Sequence, residues 1–578
     1  MDKQITSCVN KLEKEQRDLK AKNIEVLGVR DINRQYELLS HLRALLQERL
    51  DRGDVSALSV SVGPSIVEVI RQNSKKEQLM EECTCILYFL SIFDPYFKKG
   101  VARLFKSLQD HPGNDSIQKA SLAAIRNVVA ANRDSLPRIS PSIPVILDSM
   151  ERYPDNVDLL SSSAEILENL ASHTPSKAFF IECGALESLK TTMRKHLHLG
   201  PLQATILRAM SNLSFAAGVD IRSDMLPIIS VVIASMRENP RDTKVQMYGL
   251  STLQNISSAT HVANPMHRSA EGLVVDTFHT ILSIMKVHVE DASIQEEGMK
   301  ALYRTMESAP DNRDLMIDED GVVTIVDAMT RYSHALEIQS QGLAIMLALV
   351  TQNADNHELL FSTGGLDVLL AALITFPDNV NVSTYGIQIL KDFTRLSLDF
   401  QRAVTAKGGI SVIVTSMRKH AHNEDIQDPA FACMRNLCLH QDNREAVKKE
   451  GAITVSLTNM THFKANPAIQ AYGCDALGRL ATIAMEDIFC NHGIEVALES
   501  MSEHPSHAGV QDRACFLLLA LSEHRPALKH MKEYNVLPIV QAARVPPKEQ
   551  AQERKSTLVG RLEGMDRPSL WGALSRKQ

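Results

Sequence analysis

Aromatic side chains are scarce in this chain, 5% of 578 residues with a single Trp. Charge of one sign is also lacking, with 62 Lys+Arg set against 69 Asp+Glu for a net charge of −7. A reader of single-stranded nucleic acid needs a basic stripe with stacking rings, and this composition offers neither, so no nucleic-acid partner is expected. No apolar run reaches the roughly 18 residues of a membrane helix, and no basic-then-apolar start marks a secretory leader. The phosphate loop GxxxxGK[ST], HExxH, GxSxG and CxxC are all missing, which removes the common signatures of nucleotide, metalloprotease, hydrolase and dithiol chemistry. A non-catalytic chain with no cofactor, no metal and no membrane span is expected, cytoplasmic or nuclear, or associated with the cytoskeleton or a cilium. Its nine cysteines fit a reducing compartment. Cys433, Cys474 and Cys515 stand 41 apart at matching positions, where a thiol serves as a small hydrophobe.

What is abundant is periodicity. An apolar marker recurs at Leu108, Met150, Met193, Met236, Met285, Met329, Leu373, Met417, Met460 and Met501, in steps of 42, 43, 43, 49, 44, 44, 44, 43 and 41. Glycine keeps the same step at Gly100, Gly184, Gly321, Gly365, Gly409, Gly451 and Gly493, eight or nine residues before the marker. Glutamine keeps it at Gln118, Gln203, Gln246, Gln295, Gln339, Gln427, Gln470 and Gln511, ten residues after. A fixed period of this length signals stacked helical units, none of which can bury its apolar face alone.

One copy shows the unit. Asp442-Asn443 predicts the cap of a short helix from Asn443 to Glu450, ended by Gly451. Ile453, Leu457 and Met460 mark the buried stripe of a second helix, and Asn466-Pro467 breaks the chain before a third, from Ile469 to Ala481. Ile469, Tyr472, Gly473, Ala476, Leu477 and Leu480 give that third helix a face of small and apolar residues that admits close neighbours.

In the stretches Asn443-Arg-Glu-Ala-Val-Lys-Lys-Glu-Gly451-Ala-Ile and Ile469-Gln-Ala-Tyr-Gly-Cys-Asp-Ala-Leu-Gly-Arg-Leu480, the chain resembles the armadillo-repeat family, over roughly residues 60 to 545. The resemblance implies an all-α fold, a right-handed superhelical α-solenoid of about ten or eleven armadillo-type repeats. The expected organisation is a polar N-terminal helical segment and cap over 1–55, the solenoid over 56–545 and a polar C-terminal tail over 546–578. The first twenty residues are left to fray or to pair with a partner helix. One step of 49 between Met236 and Met285 points to an insertion within Ser257 to Gly272, read as a tolerated surface loop or a partner-contacting one.

Histidine pairs such as His420/His422 and His196/His198, together with Cys83/Cys85 and Cys490/His492, invite a metal reading. The period answers it. His111, His196, His288, His420 and His504 sit three residues after the marker, a place taken elsewhere by Tyr153, Tyr332, Phe376 and Phe463. A position shared by these residues calls for a flat ring closing the second helix rather than a zinc ligand.

The candidate site is the inner face of the third helices. Counting by the period gives Asn127, Asn169, Asn212, Asn255, Arg304, Asp392, Asn436 and Arg479, and one turn earlier Arg208 and Lys300. The resemblance implies that an Asn on this row lines a concave groove and hydrogen-bonds the backbone of an extended peptide. The alternative is that these amides merely satisfy neighbouring backbone groups. The groove tryptophans of nuclear-import adaptors are absent, which argues against a basic-signal receptor. Within the tail, Leu570, Trp571 and Leu574 form a candidate anchor.

These residues point to a protein-protein interaction scaffold or adaptor, taking an extended peptide or a globular client along its groove. Regulation of a small GTPase or chaperone cycle, and a structural place in a ciliary or cytoskeletal assembly, are the competing expectations. The oligomeric state is left open.

Overall fold

The computed structural model describes residues 2–21, 29–54, 56, 62–93, 100–214, 226–257, 271–308, 312–318, 320–351 and 355–564. Among these residues there is no strand. The chain divides into two compact units, Met1–Asn312 and Arg313–Gln578.

In the first unit the third helices of successive repeats are Glu77–Phe93, Asp115–Ala131, Val157–Ala171, Gly200–Ser214, Thr243–Ser257 and Ala292–Ser308, each packed on the one before it. The second helices, Gly63–Asn73, Val101–Asp110, Ile143–Arg152, Ala185–Lys195, Ile229–Glu238 and Glu271–Val287, form a parallel row that packs the same way. Helix Val29–Asp51 covers the start of the third-helix row, and Asp2–Ala21 packs on it and on Gly63–Asn73. The first twenty residues are thus not frayed. Ile5, Val9, Leu12 and Leu19 recur at helical spacing and are buried, leaving Lys3, Lys11, Lys14 and Arg17 on the solvent side.

The second unit repeats this plan. Its third helices are Leu336–Val350, Val380–Leu396, Glu424–Leu437, Pro467–Cys490, Ala508–Leu521 and Glu549–Leu562, with second helices Gly321–Arg331, Gly365–Thr375, Gly409–Lys419, Ala452–His462 and Gly493–Glu503 beside them. The polar tail expected from 546 therefore needs correcting. Helix Glu549–Leu562 packs on Ala508–Leu521 as the third helix of a final repeat and buries Ala551, Leu558 and Leu562. Its second helix is shortened to Leu537–Ala542, and Val545-Pro-Pro547 lies between the two rather than at the end of the solenoid. The anchor residues Leu570, Trp571 and Leu574 lie outside the described residues.

Each periodic residue has a physical task. The marker is a knob seated on a helix: an added Cβ at Gly473 would stand 2.4 Å from Met460 Sδ, and one at Gly342 2.4 Å from Met329 Sδ. The periodic glutamine clamps a helix end. In all eight copies its Nε2 donates to the carbonyl of the marker and to that of the residue three further on, at 2.7–3.1 Å. The marker carbonyl is one that an α-helix leaves without an intrahelical partner, and the second also accepts the backbone N–H three residues on. The third helix's carbonyl end is met by the next first helix, where Asn356, Gln401 and Asn443 donate to Leu349, Thr394 and Leu437 at 2.8, 2.7 and 3.1 Å.

Asn443 is therefore no N-cap, contrary to expectation. Its helix starts earlier, at Gln441–Lys449, and its amide is spent on the preceding helix. The third helix of that copy is capped by Asn466, whose Oδ1 accepts from Ala468 and Ile469 at 2.8 and 3.0 Å. It runs past Ala481 through a break at Ala484 (φ −148°, ψ 35°) to Cys490.

The glycine marker divides into two positions, which is why its offset is eight or nine. Gly184 and Gly451 hold the left-handed turn at φ 76° and 74°. Gly321, Gly365, Gly409 and Gly493 follow that turn, where a Cβ would lie 2.5–2.8 Å from a carbonyl of the first helix. The long step is partly explained too: helix Glu271–Val287 begins fourteen residues before Met285, whereas Gly321–Arg331 begins eight before Met329. The remainder of the expected insertion, 258–270, lies outside the described residues.

Candidate partner-binding face

The third helices of the first unit show why one face is left to solvent. In Asp115–Ala131 the apolar Ile117, Leu122, Ile125, Val128 and Val129 are buried, while Lys119, Arg126, Asn127 and Ala130 are partly or fully exposed. Val157–Ala171 and Gly200–Ser214 follow the same rule, with Glu165 and Asn169 on the first and Arg208, Ser211 and Asn212 on the second reaching solvent. The structure thus brings Asn127, Asn169, Arg208, Asn212 and Asn255 to the same side of consecutive packed helices.

Their amides are not equally free. Asn127 Nδ2 donates to Ser91 Oγ at 2.9 Å, and its Oδ1 accepts from Arg126 at 3.2 Å. Asn169 donates to the Glu165 carbonyl at 2.8 Å, and Asn255 to the Ser211 carbonyl of the preceding third helix at 3.2 Å. The Asn212 side chain has no hydrogen-bond partner among the described residues, although its carbonyl accepts from Lys177 at 2.6 Å. The row combines local satisfaction of backbone groups with amides at solvent.

Charge on this face is paired, across helices at Arg208 and within one helix at Lys300 and Arg304. Arg208 meets Glu168 at 2.7 Å and lies 5.8 Å from the Tyr248 ring centre. Burial pushes the Glu168 carboxyl above its usual range, against the pull of Arg208. Lys300 contacts Glu296 and Glu297 at 2.6 and 3.2 Å, and Arg304 contacts Glu307 at 2.8 Å.

The second unit differs. Asp392 is half-buried, with Arg395 at 3.6 Å. Asn436, expected to read a partner backbone, is only 5% exposed. Its Nδ2 points at Thr394 Oγ1, 3.3 Å away, and Arg435 donates to its Oδ1 at 2.9 Å, so it belongs to the packing between helices. Arg479 reaches Asp475 at 3.0 Å. Sequence reasoning counted none of Asp475, Phe516, Asp512, Arg513 and Arg554 among the site residues. Asp475 is 2% exposed and is met by Arg435 at 3.2 Å, Arg479 at 3.0 Å and Arg513 at 3.4 Å. Arg554 grips Asp512 at 2.6 and 2.7 Å. The signal existed, since Arg554 follows Arg513 by 41, as Gln552 follows Gln511.

The histidine position does more than close a helix. Nε2–H of His111, His196, His288, His420 and His504 donates to a carbonyl one repeat back, as do the Tyr153 hydroxyl and the Asn239 amide, all at 2.6–3.0 Å. Among the described residues no three His, Cys, Asp or Glu side chains gather as a metal site, and no single helix is long and apolar enough to cross a membrane.

Residues 198–450 match the family model described as LRRK2 ARM repeat. A solved structure described as "A conserved phosphorylation switch controls the interaction between cadherin and beta-catenin in vitro and in vivo" superposes with a TM-score of 0.60 at 13% identity, covering 92% of this chain and 97% of that one. No curated protein matches in sequence. The repeat, its two rows of helices, and these two likenesses support an armadillo-repeat fold for the chain, with no particular member singled out.

Proposed function

We propose that the chain is a non-catalytic scaffold or adaptor that holds a partner polypeptide against its third-helix face. The observation that carries this is the run of polar side chains that reach solvent on consecutive third helices of the first unit, Asn127, Asn169, Arg208, Asn212 and Asn255, beside the local bonds that some of them make. A backbone carries one donor and one acceptor per residue, and side-chain amides offer both. Such a row can therefore pair with an extended segment at repeated intervals. The armadillo fold commonly serves protein interaction, and the solved neighbour is described by an interaction between two proteins, cadherin and beta-catenin. All nine cysteines are free thiols, which supports placing the chain in the cytoplasm, where thiols stay reduced.

The test is capture of partners from a lysate by the full chain and by Asn169→Ala/Asn212→Ala. Loss of a specific partner, with melting lowered by no more than a few degrees, supports the reading. Loss of stability and capture in proportion would make these asparagines structural, and undiminished capture would move binding to another face.

A further inference from the structure

The last four third helices of the second unit carry two buried carboxylates and five arginines, of which Arg561 is paired with Glu523 at 2.6 Å and the other four surround the two carboxylates. Asp475 and Asp512 are 2% and 4% exposed. A buried carboxylate is stable only when paired and hydrogen-bonded, and two guanidinium groups would suffice for two carboxylates. The chain supplies Arg435, Arg479 and Arg513 around Asp475, and Arg513 and Arg554 around Asp512. Two positive charges are therefore in surplus, held close enough to repel one another. Asp428, on the helix that carries Arg435, has its carboxyl pushed up by burial against the pull of Lys391.

The arginines are also held open. Their side chains keep 34% (Arg435), 23% (Arg479), 29% (Arg513) and 19% (Arg554) of their surface at solvent. Phe516 supports two of them, with Arg479 and Arg554 at 5.8 and 5.6 Å from its ring centre. A guanidinium has five N–H donors in a rigid fork, so contacts with aspartate leave donors unspent. Fixing the fork in advance removes the entropy an arginine loses when it binds.

We propose that this arginine row binds an acidic segment of the partner polypeptide, rich in Asp or Glu, with Asp475 and Asp512 as internal counter-charges that aim the guanidinium groups outward. The proposal rests on the reading that the third-helix face holds a polypeptide, and it assigns the carboxylate-reading part to the second unit.

The experiment uses the full chain, a labelled octaglutamate peptide, an octalysine control and fluorescence anisotropy at low and physiological salt. The glutamate peptide should bind saturably and more weakly at higher salt, and the lysine peptide should not bind. Arg435→Gln leaves Asp475 with Arg479 and Arg513, so circular dichroism should report an intact fold while binding weakens about threefold or more. Asn169→Ala/Asn212→Ala in the first unit should leave octaglutamate binding unchanged even where partner capture is lost, which separates failure of this proposal from failure of the scaffold reading. Absence of saturable glutamate binding, equal binding of the lysine peptide, wild-type affinity in Arg435→Gln, or tighter binding of a single-stranded oligonucleotide would each overturn it.

Discussion

At the residue scale, the fold rests on a few side chains repeated for fixed reasons. Gln427 is fully buried, donates to the Met417 and His420 carbonyls, and accepts from Asn459 at 2.8 Å. Gln427→Leu keeps the volume but removes three buried hydrogen bonds, each worth about 1 kcal/mol net, although the Met417 carbonyl keeps Asn459 at 3.1 Å and the His420 carbonyl keeps the Asn423 N–H at 3.0 Å. We expect a loss of about 3 kcal/mol in urea unfolding, and a loss under about 1 kcal/mol would show that water replaces the clamp. Met417 is likewise fully buried, and Met417→Asp should cost more than about 4 kcal/mol. Wild-type melting of that variant would mean the marker faces solvent. At the histidine position, His420→Phe keeps the ring and loses one bond to Pro377, a net cost of about 1 kcal/mol. Treating the protein with a chelator should change neither its melting nor its binding, because these rings are spent on backbone carbonyls. Stoichiometric zinc surviving gel filtration would contradict that.

The element scale shows what was legible in the sequence and what was not. Second and third helices were readable because marker, glycine and glutamine keep one interval, and close packing of the third helix was readable from Gly473. The tasks of these residues were not: a glutamine ten residues after a marker has no visible partner until the helix end folds back on it. Asn443 misled for a related reason, since the residue type that caps its own helix can equally cap the preceding one. Asn436 was misassigned because its amide is buried against Thr394 and Arg435 while Asp392 and Arg479, the rungs on either side, still reach solvent, a local difference that no spacing encodes. Gly473 offers the element-scale test. A branched side chain there must displace Met460, so Gly473→Val should be destabilised by about 2–4 kcal/mol, combining overpacking with a β-branched residue in mid-helix. In Gly473→Val/Met460→Ala the knob is gone, and part of that loss should be recovered. Additive losses would show that the two do not share one space.

At the scale of the molecule, the question is where the solenoid ends, because an exposed terminal repeat costs stability and solubility. Charge and the Pro546-Pro547 pair made the final stretch read as tail, yet helix Glu549–Leu562 buries Leu558 and sets Arg554 on Asp512 and Arg561 on Glu523. Removing everything after 548 would strip cover from Ala508–Leu521 and leave Asp512 with Arg513 alone, at 3.6 Å. Breaking a buried pair by deleting one partner typically costs about 3–5 kcal/mol, so this truncation should lower the melting temperature markedly and promote association. Truncation after 564 removes Leu570, Trp571 and Leu574 but none of these contacts, and should leave melting unchanged while altering only binding. If the longer truncation melts like the full chain, Glu549–Leu562 is an appendage rather than a closing repeat. If the shorter one is destabilised, residues beyond 564 contribute to the core of the second unit, and their part in the fold outweighs any part in partner capture.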